Sequence, residues 1–551
     1  MDTRSATVSR VAARLLFLAS AAFVLWRNTQ VGALVDISWI LNNATRIALG
    51  DVPYRDFPLA QAPGEFLIQA LLIRLFGANY LVPIFYASLC GGAATVLAYL
   101  VARRLLSGSV PAPERLAAII TLPLIPLGIY AIVPNPFYDP DAGLAVLGTI
   151  ALLMAARERR NALPFLAAGA VAVVPLAFKQ NIGAPFLVSL FAILTLEAWR
   201  DPARRRELGW TALGTVTAVA VGLALMQVFV GIDAYLRGTV AFALSGRGLA
   251  LERIGDFGQP HVLFAGAVLA VVGIAAPRLS APARALFAVA AVVVLAITLA
   301  PSIIGGPPVW FPPLLVAAAA LGVVRAWREG PRLEVLLPLV LLVTTLGTVE
   351  SRSLTASTYG IFPLLSLAIA CLVRDLGQMA PRPARLAPYA GTIAALVLTG
   401  FGLVYTLENV RLLFVDVNAP GPVERSTFPT LTGLSARGPY IADLDAILFW
   451  VRDHVPPGDS FVFLPGEDPV YYALLRKPAL PSVFFYFGDV ATPYTPEEVA
   501  RIADERGLRW VIVKDRLQQV EVPQLEPDLV ARLTARATLV ETVGAYRVYR
   551  R

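Results

Sequence analysis

The chain has 551 residues, 57% of them hydrophobic and only 15% charged, with a mean hydropathy of +0.68. A soluble globular protein carries about 25% charged residues, so that class is excluded for most of the sequence. The net charge of +8 does not indicate nucleic acid either, because Lys and Arg form short clusters between apolar runs and no basic face with interleaved aromatics.

In chain order, Arg4, Arg10 and Arg14 precede an apolar run to Trp26 with no clear small-residue cleavage site after it. This reads as a retained first helix whose basic flank stays in the cytoplasm. Runs near the ~20 residues that cross a hydrocarbon core predict about thirteen spans, at 12–34, 80–102, 116–133, 142–156, 162–178, 183–198, 209–230, 261–276, 284–300, 309–324, 334–349, 360–373 and 387–406. Alternate loops collect arginine, among them Arg103, Arg104, Arg157, Arg159, Arg204, Arg325 and Arg374. Placing these loops inside leaves the N-terminus in the cytoplasm and the C-terminal part outside.

Between the first two spans, residues 37–48 put Ile37, Ile40, Leu41, Ala44, Ile47 and Ala48 on one stripe, with Asn42, Asn43, Thr45 and Arg46 away from it. That spacing predicts a helix lying in the membrane surface. The apolar stretch 64–77 is too short to span comfortably and reads as interfacial or re-entrant. After Glu408 the composition changes. A helix over 442–454, a strand over 460–464, a helix near 495–506, a strand at 510–513 and a strand pair near 537–549 predict a small α/β domain. The expected architecture is therefore a polytopic α-helical membrane domain, 1–408, followed by an extracytoplasmic α/β domain, 409–551. Cys90 and Cys371 lie far apart in apolar runs, and His261 and His454 are the only histidines, which argues against a structural disulfide and against a Cys/His metal site.

Charged groups beside a membrane-embedded face are costly and invite functional readings. Four places on the expected outer side qualify. Asp36 sits where the first span meets the outer surface, and its bland reading is a solvated interfacial carboxylate capping the helix that follows. The rigid run Gly50 to Phe57 holds Tyr54, Arg55 and Asp56, with Glu65 shortly after. A local Arg55–carboxylate pair is the bland alternative there. Asp139 and Asp141 lie in N-P-F-Y-D-P-D, where two close carboxylates could share a divalent cation, split into ionised and protonated partners, or cap the next helix. Lys179, Gln180 and Asn181 form a short outer turn, and Lys179 could meet a phosphate or snorkel to lipid headgroups. Arg352, with Tyr359 in the same outer loop, raises the same question.

Taken in order, these features resemble the GT-C superfamily of membrane glycosyltransferases, specifically its bacterial polyprenyl-phosphate-sugar-dependent members. The match comprises Asp36 after the first span, an amphipathic helix, G-x-x-P-Y-R-D-F (Gly50 to Phe57), P-G-E (Pro63 to Glu65), the acidic second outer loop and the K-Q-N turn. P-P-G-D (Pro456 to Asp459) and V-Y-Y-A-L-L-R-K-P (Val470 to Pro478) resemble the family's tail domains. Many relatives carry Asp-Glu at the first site, whereas Ile37 follows Asp36 here. This weakens a metal role at Asp36 more than a role as base.

The resemblance implies transfer of a sugar from a polyprenyl-phosphate donor to a hydroxyl of a lipid or glycan acceptor at the outer face of the inner membrane. It implies Asp36 as base, Lys179 and Arg352 as cations for the leaving phosphate, and Asp139 and Asp141 orienting the acceptor or holding Mg2+ or Mn2+. Tyr54, Arg55, Asp56, Glu65, Gln180, Asn181 and Tyr359 are the expected substrate contacts. A lipid or sugar flippase is the rival from another class. It predicts charges at mid-membrane and an internal repeat, and neither is evident in the sequence. A polysaccharide polymerase would place its largest outer element within the bundle, and a bare scaffold would not explain the acidic outer loops.

Overall fold

The computed structural model describes residues 3–159, 161–241, 280, 282–283, 311–356, 358–378, 381–407, 421–485, 494–518 and 526–551. Helices dominate the first part: α1 (Thr3–Asn28), α2 (Leu34–Ala48), α3 (Gly64–Phe76), α4 (Leu81–Leu106), α5 (Pro113–Thr121), α6 (Leu124–Leu127), α7 (Tyr138–Arg159), α8 (Ala162–Phe178), α9 (Gln180–Arg200), α10 (Arg205–Phe229) and α11 (Ile232–Leu236). They continue as α12 (Phe311–Glu329), α13 (Leu333–Ala356), α14 (Thr358–Gly377) and α15 (Pro381–Leu407). Among the described residues, eight helices are long and apolar enough to cross a membrane, and α8 is a shorter apolar helix. The expected spans 261–276 and 284–300 lie outside the described residues.

One expected span is not a single helix. The stretch 116–133 breaks into α5 and the four-residue α6. Pro123 and Pro126 cannot donate backbone hydrogen bonds, and the chain leaves helical geometry at Gly128. At the arginine-rich end, Arg157 of α7 meets Glu197 at 2.6 Å, Glu207 at 3.2 Å and Glu334 at 2.9 Å, pinning α7, α9, α10 and α13 together.

The C-terminal part is built around a four-stranded sheet of β3 (Phe461–Leu464), β4 (Trp510–Lys514), β5 (Thr538–Val543) and β6 (Tyr546–Arg550), in the order β3-β4-β6-β5. β3 and β4 are parallel, and the other pairs are antiparallel. A separate two-stranded ribbon joins β1 (Val423–Arg425) and β2 (Ser435–Arg437). Alternate residues of the central strands serve two cores, as the two-residue period of a strand requires. Val462, Leu464, Val511 and Val513 pack against the helices 496–505 and 527–534, while Phe461, Phe463, Trp510 and Ile512 join the core continuous with the helical bundle.

Helix α2 occupies that junction. Its residues 34–47 are all buried except Asp36. The polar residues Ser38, Asn42 and Arg46, spaced four apart, do not face water. They bond carbonyls of the sheet domain: Ser38 Oγ donates to Gly466 O at 2.5 Å, Asn42 Nδ2 to Asp468 O at 3.0 Å, and Arg46 Nη1 to Pro481 O at 2.7 Å. The stripe expected to face the aqueous side of a membrane-surface helix is a domain interface.

Candidate active site

The C-terminal ends of α1 and α8 and the N-terminal end of α7 meet around residues 134–141. Asn28, at the end of α1, donates to Pro134 O at 2.9 Å. Tyr130 donates to Phe137 O at 3.1 Å and accepts from Phe137 N at 3.3 Å, which fixes the approach to α7.

Asp139 and Asp141 both stand in the first turn of α7 and are both buried. They do not face each other, because helix positions two apart point to different sides. Asp139 turns to Lys179, whose Nζ lies 3.1 Å from Oδ1 and 3.2 Å from Oδ2 and sits 4.5 Å from the centre of the Tyr138 ring. Asp141 turns to Tyr86 of α4, whose hydroxyl donates to Oδ2 at 2.6 Å, and to the carboxyl of Glu65 on α3. Gln69 donates to Glu65 Oε1 at 2.9 Å. Two buried carboxyls close together disfavour each other's ionised forms. Burial first, and the Asp141 charge second, hold the Glu65 carboxyl well above the ordinary carboxylate range.

Lys179 ends α8 in an extended conformation, and α9 begins at the next residue. Two glycines let this turn pack closely. A Cβ on Gly64 would stand 2.5 Å from Ala177 O, and one on Gly347 of α13 would stand 2.0 Å from Asn181 O. Asn181 Nδ2 donates to Glu350 Oε2. Gln180 Nε2 donates to the Tyr235 hydroxyl at 3.3 Å, and the Tyr235 ring meets Tyr54 edge-on at 5.3 Å. Tyr54, held at φ +66°, donates to Gln61 O at 2.5 Å. Arg55 and Asp56 pair at 3.1 Å near the surface.

Beside this aromatic pair lies a cavity of about 250 Å³ whose lining includes Tyr54, Arg55, Phe57, Arg237 and Tyr494. A larger one of about 460 Å³, lined by Arg103, Arg104, Glu158, Glu334 and Arg374, belongs to the arginine-rich end, away from the carboxylate cluster.

Asp36 lies in the first turn of α2 and is half-buried. It is not the cap residue, a position held by Ala33. The side chains of Arg352 and Tyr359 lie outside the described residues. The sequence reading brought Glu65, Asp139, Asp141 and Lys179 forward, and the structure assembles these four. It missed Tyr86 and Tyr130, which sit within apolar runs, and Arg237.

Among the described residues, no group of three or more His, Cys, Asp and Glu could hold a metal ion. The two α7 carboxylates do not fit a shared cation as they stand. One is engaged by the Lys179 ammonium, and the other by the Tyr86 hydroxyl.

No protein-family model and no curated protein matches the sequence. Solved structures do match. The oligosaccharyltransferase AglB from Archaeoglobus fulgidus, in complex with an inhibitory peptide and a dolichol-phosphate, superposes with a TM-score of 0.51 at 13% identity, over 93% of this chain and 69% of that one. The Archaeoglobus fulgidus oligosaccharyltransferase in complex with zinc and sulfate gives 0.50 at 11% identity, over 91% and 68%. The chain carries the GT-C fold. ArnT from Cupriavidus metallidurans bound to undecaprenyl phosphate aligns over 97% of both chains at 13% identity with a TM-score of 0.42.

Proposed function

We propose that this protein is a membrane glycosyltransferase that moves a sugar from a polyprenyl-phosphate-linked donor to a hydroxyl acceptor at the extracytoplasmic face, with inversion. The observation that carries the reading is the contrast within one end of the bundle. Asp139, Asp141 and Glu65 are buried, while Asp36 stays half-exposed on an otherwise buried helix. The fold shared with an oligosaccharyltransferase that was solved with a dolichol-phosphate supports a lipid-phosphate donor.

In this mechanism the acceptor hydroxyl attacks the anomeric carbon and Asp36 takes its proton. The new C–O bond forms as the bond to the lipid phosphate breaks, and the electron pair leaves on a phosphate oxygen. That anion is stable and needs cations in place of a general acid. Lys179 is already paired with Asp139, so this role falls to Arg55 and Arg237 at the 250 Å³ cavity, together with Arg352. Asp139 and its lysine hold the first turn of α7 in place for the acceptor. No step is routed through a metal.

The test is Asp36→Asn in native membranes supplied with the radiolabelled lipid-linked sugars extracted from the source cell. Removing the base should lower transfer by roughly 10²–10⁴-fold at unchanged protein level. Wild-type transfer by the well-folded variant refutes the reading.

A further inference from the structure

The start of α2 lacks a side-chain cap of its own. Its N-cap residue is Ala33, which has no oxygen to offer the first amides, and an uncapped buried helix end leaves orphan N–H groups. The missing acceptor comes from the other end of the chain. Gln518, just after β4 and fully buried, accepts from Leu34 N through Oε1 at 2.8 Å and donates from Nε2 to Gly32 O at 2.9 Å. Its amide thus closes on the backbone from both sides of residue 33.

Gln518 is itself fixed by a buried ionic centre. Its backbone N–H donates to Glu467 Oε1 at 2.6 Å. Lys514 Nζ lies 2.9 Å from both Glu467 and Asp468, and the Tyr546 hydroxyl donates to Asp468 Oδ2 at 2.6 Å. The same loop meets α2 one turn further on. Ser38 Oγ donates to Gly466 O at 2.5 Å and to Asp468 O at 3.0 Å, and the backbone N–H of Tyr472 donates to Asn42 Oδ1 at 3.1 Å. Asp36 lies midway between Leu34 and Ser38, the two clamped residues.

We infer that Gln518 and Ser38 are positioning residues for Asp36, so that the sheet domain sets the orientation of the base in the first turn of α2. This rests on the transferase reading above. The clamp fixes φ and ψ on both sides of Asp36, and a base displaced by about 1 Å loses on the order of 10²-fold in rate. Donor contacts at the 250 Å³ cavity are made by other segments, so the clamp governs turnover and not donor affinity.

The experiment compares full-length Gln518→Met, close in size but without amide hydrogen bonds, and the milder Ser38→Ala with wild type and Asp36→Asn. Deuterium exchange of the 34–38 amides reads the clamp without any substrate. Transfer from the extracted lipid-linked sugars reads kcat and KM. Losing two buried hydrogen bonds should raise exchange in Gln518→Met by roughly five- to thirtyfold. It should cut kcat by about tenfold or more with KM for the donor within twofold, and Ser38→Ala should show the same pattern at smaller size.

Unchanged exchange in both variants overturns the clamp. Raised exchange with unchanged kcat overturns the positioning role and leaves the clamp as architecture. A parallel rise in KM with no fall in kcat overturns it as well. Normal transfer by Asp36→Asn sinks the reading beneath it, and the exchange data identify that failure as separate.

Discussion

Replacing Lys514 by Met leaves a like-charged pair in the protein interior. Lys514 is 2% exposed, and its carboxylate partners Glu467 and Asp468 are 1% and 3% exposed. Burial alone would lower the ammonium pKa, but Asp468 and Glu467 outweigh it and hold the lysine charged above its ordinary value. Removing one partner of a buried ion pair costs about 3–5 kcal/mol, because the remaining charge is left uncompensated. For a domain of this size that corresponds to a fall of roughly 10–20 °C in its Tm, measurable by calorimetry of the detergent-purified protein. The pH dependence carries its own sign. Burial pushes the Glu467 carboxyl up even beside the lysine. A carboxyl raised in the folded state contributes stability below its unfolded pKa of about 4.3 and loses it as pH rises through the folded value. The deficit of Lys514→Met should therefore be smallest at acid pH and grow as pH rises toward neutrality. Adding Glu467→Gln and Asp468→Asn should recover most of it. A Tm within 2 °C of wild type at pH 7.5 would refute the assignment of this cluster as the pin of the domain.

Two further outcomes follow from the α7 end. Lys179→Met removes the counter-ion of buried Asp139 and should cost about 3–5 kcal/mol, whereas Lys179→Met with Asp139→Asn should recover much of that loss, both read as Tm in detergent. Glu65→Gln puts a neutral amide in place of a carboxyl that burial already holds well above the ordinary carboxylate range. It should stay within about 1 kcal/mol of wild type, while Glu65→Ala, which strips the partner from a buried carboxyl, should cost about 1–3 kcal/mol.

Local signals carried most of the sheet domain into view. The Pro456-Pro457-Gly458-Asp459 turn and the short apolar runs after it mark β3, β4 and the β5–β6 pair to within a residue or two, because turn chemistry and two-residue alternation act within a few positions. Spans were legible by length for the same reason. The stretch 116–133 was not, since average hydropathy ignores what Pro123 and Pro126 do to a helix. Misreading the polar side of α2 has a different cause. Its partners lie at 466–481, separated from Ser38 by 428 positions in the Gly466 bond, and nothing near Asn42 or Arg46 indicates that a domain will cover them. Sequence proximity also misled at Asp139 and Asp141. Two positions apart in a loop suggests a pair, but once α7 begins at Tyr138 they diverge to partners on different helices.

That divergence constrains the acid–base assignment. A carboxyl pair that already holds a proton between its members is a poor acceptor for a second, because the second proton would break the contact that stabilises the first. Burial holds the Glu65 carboxyl well above the ordinary carboxylate range beside Asp141. Asp139 is paired with Lys179 at 3.1 Å in a buried setting, and a proton on it would strand an ammonium there, which is expensive. Asp36 is half-exposed, so an acceptor can reach it. In the proposed transfer the cluster on α7 would serve as fixed architecture, and the proton would move at α2, where Gln518 and Ser38 contact the C-terminal domain.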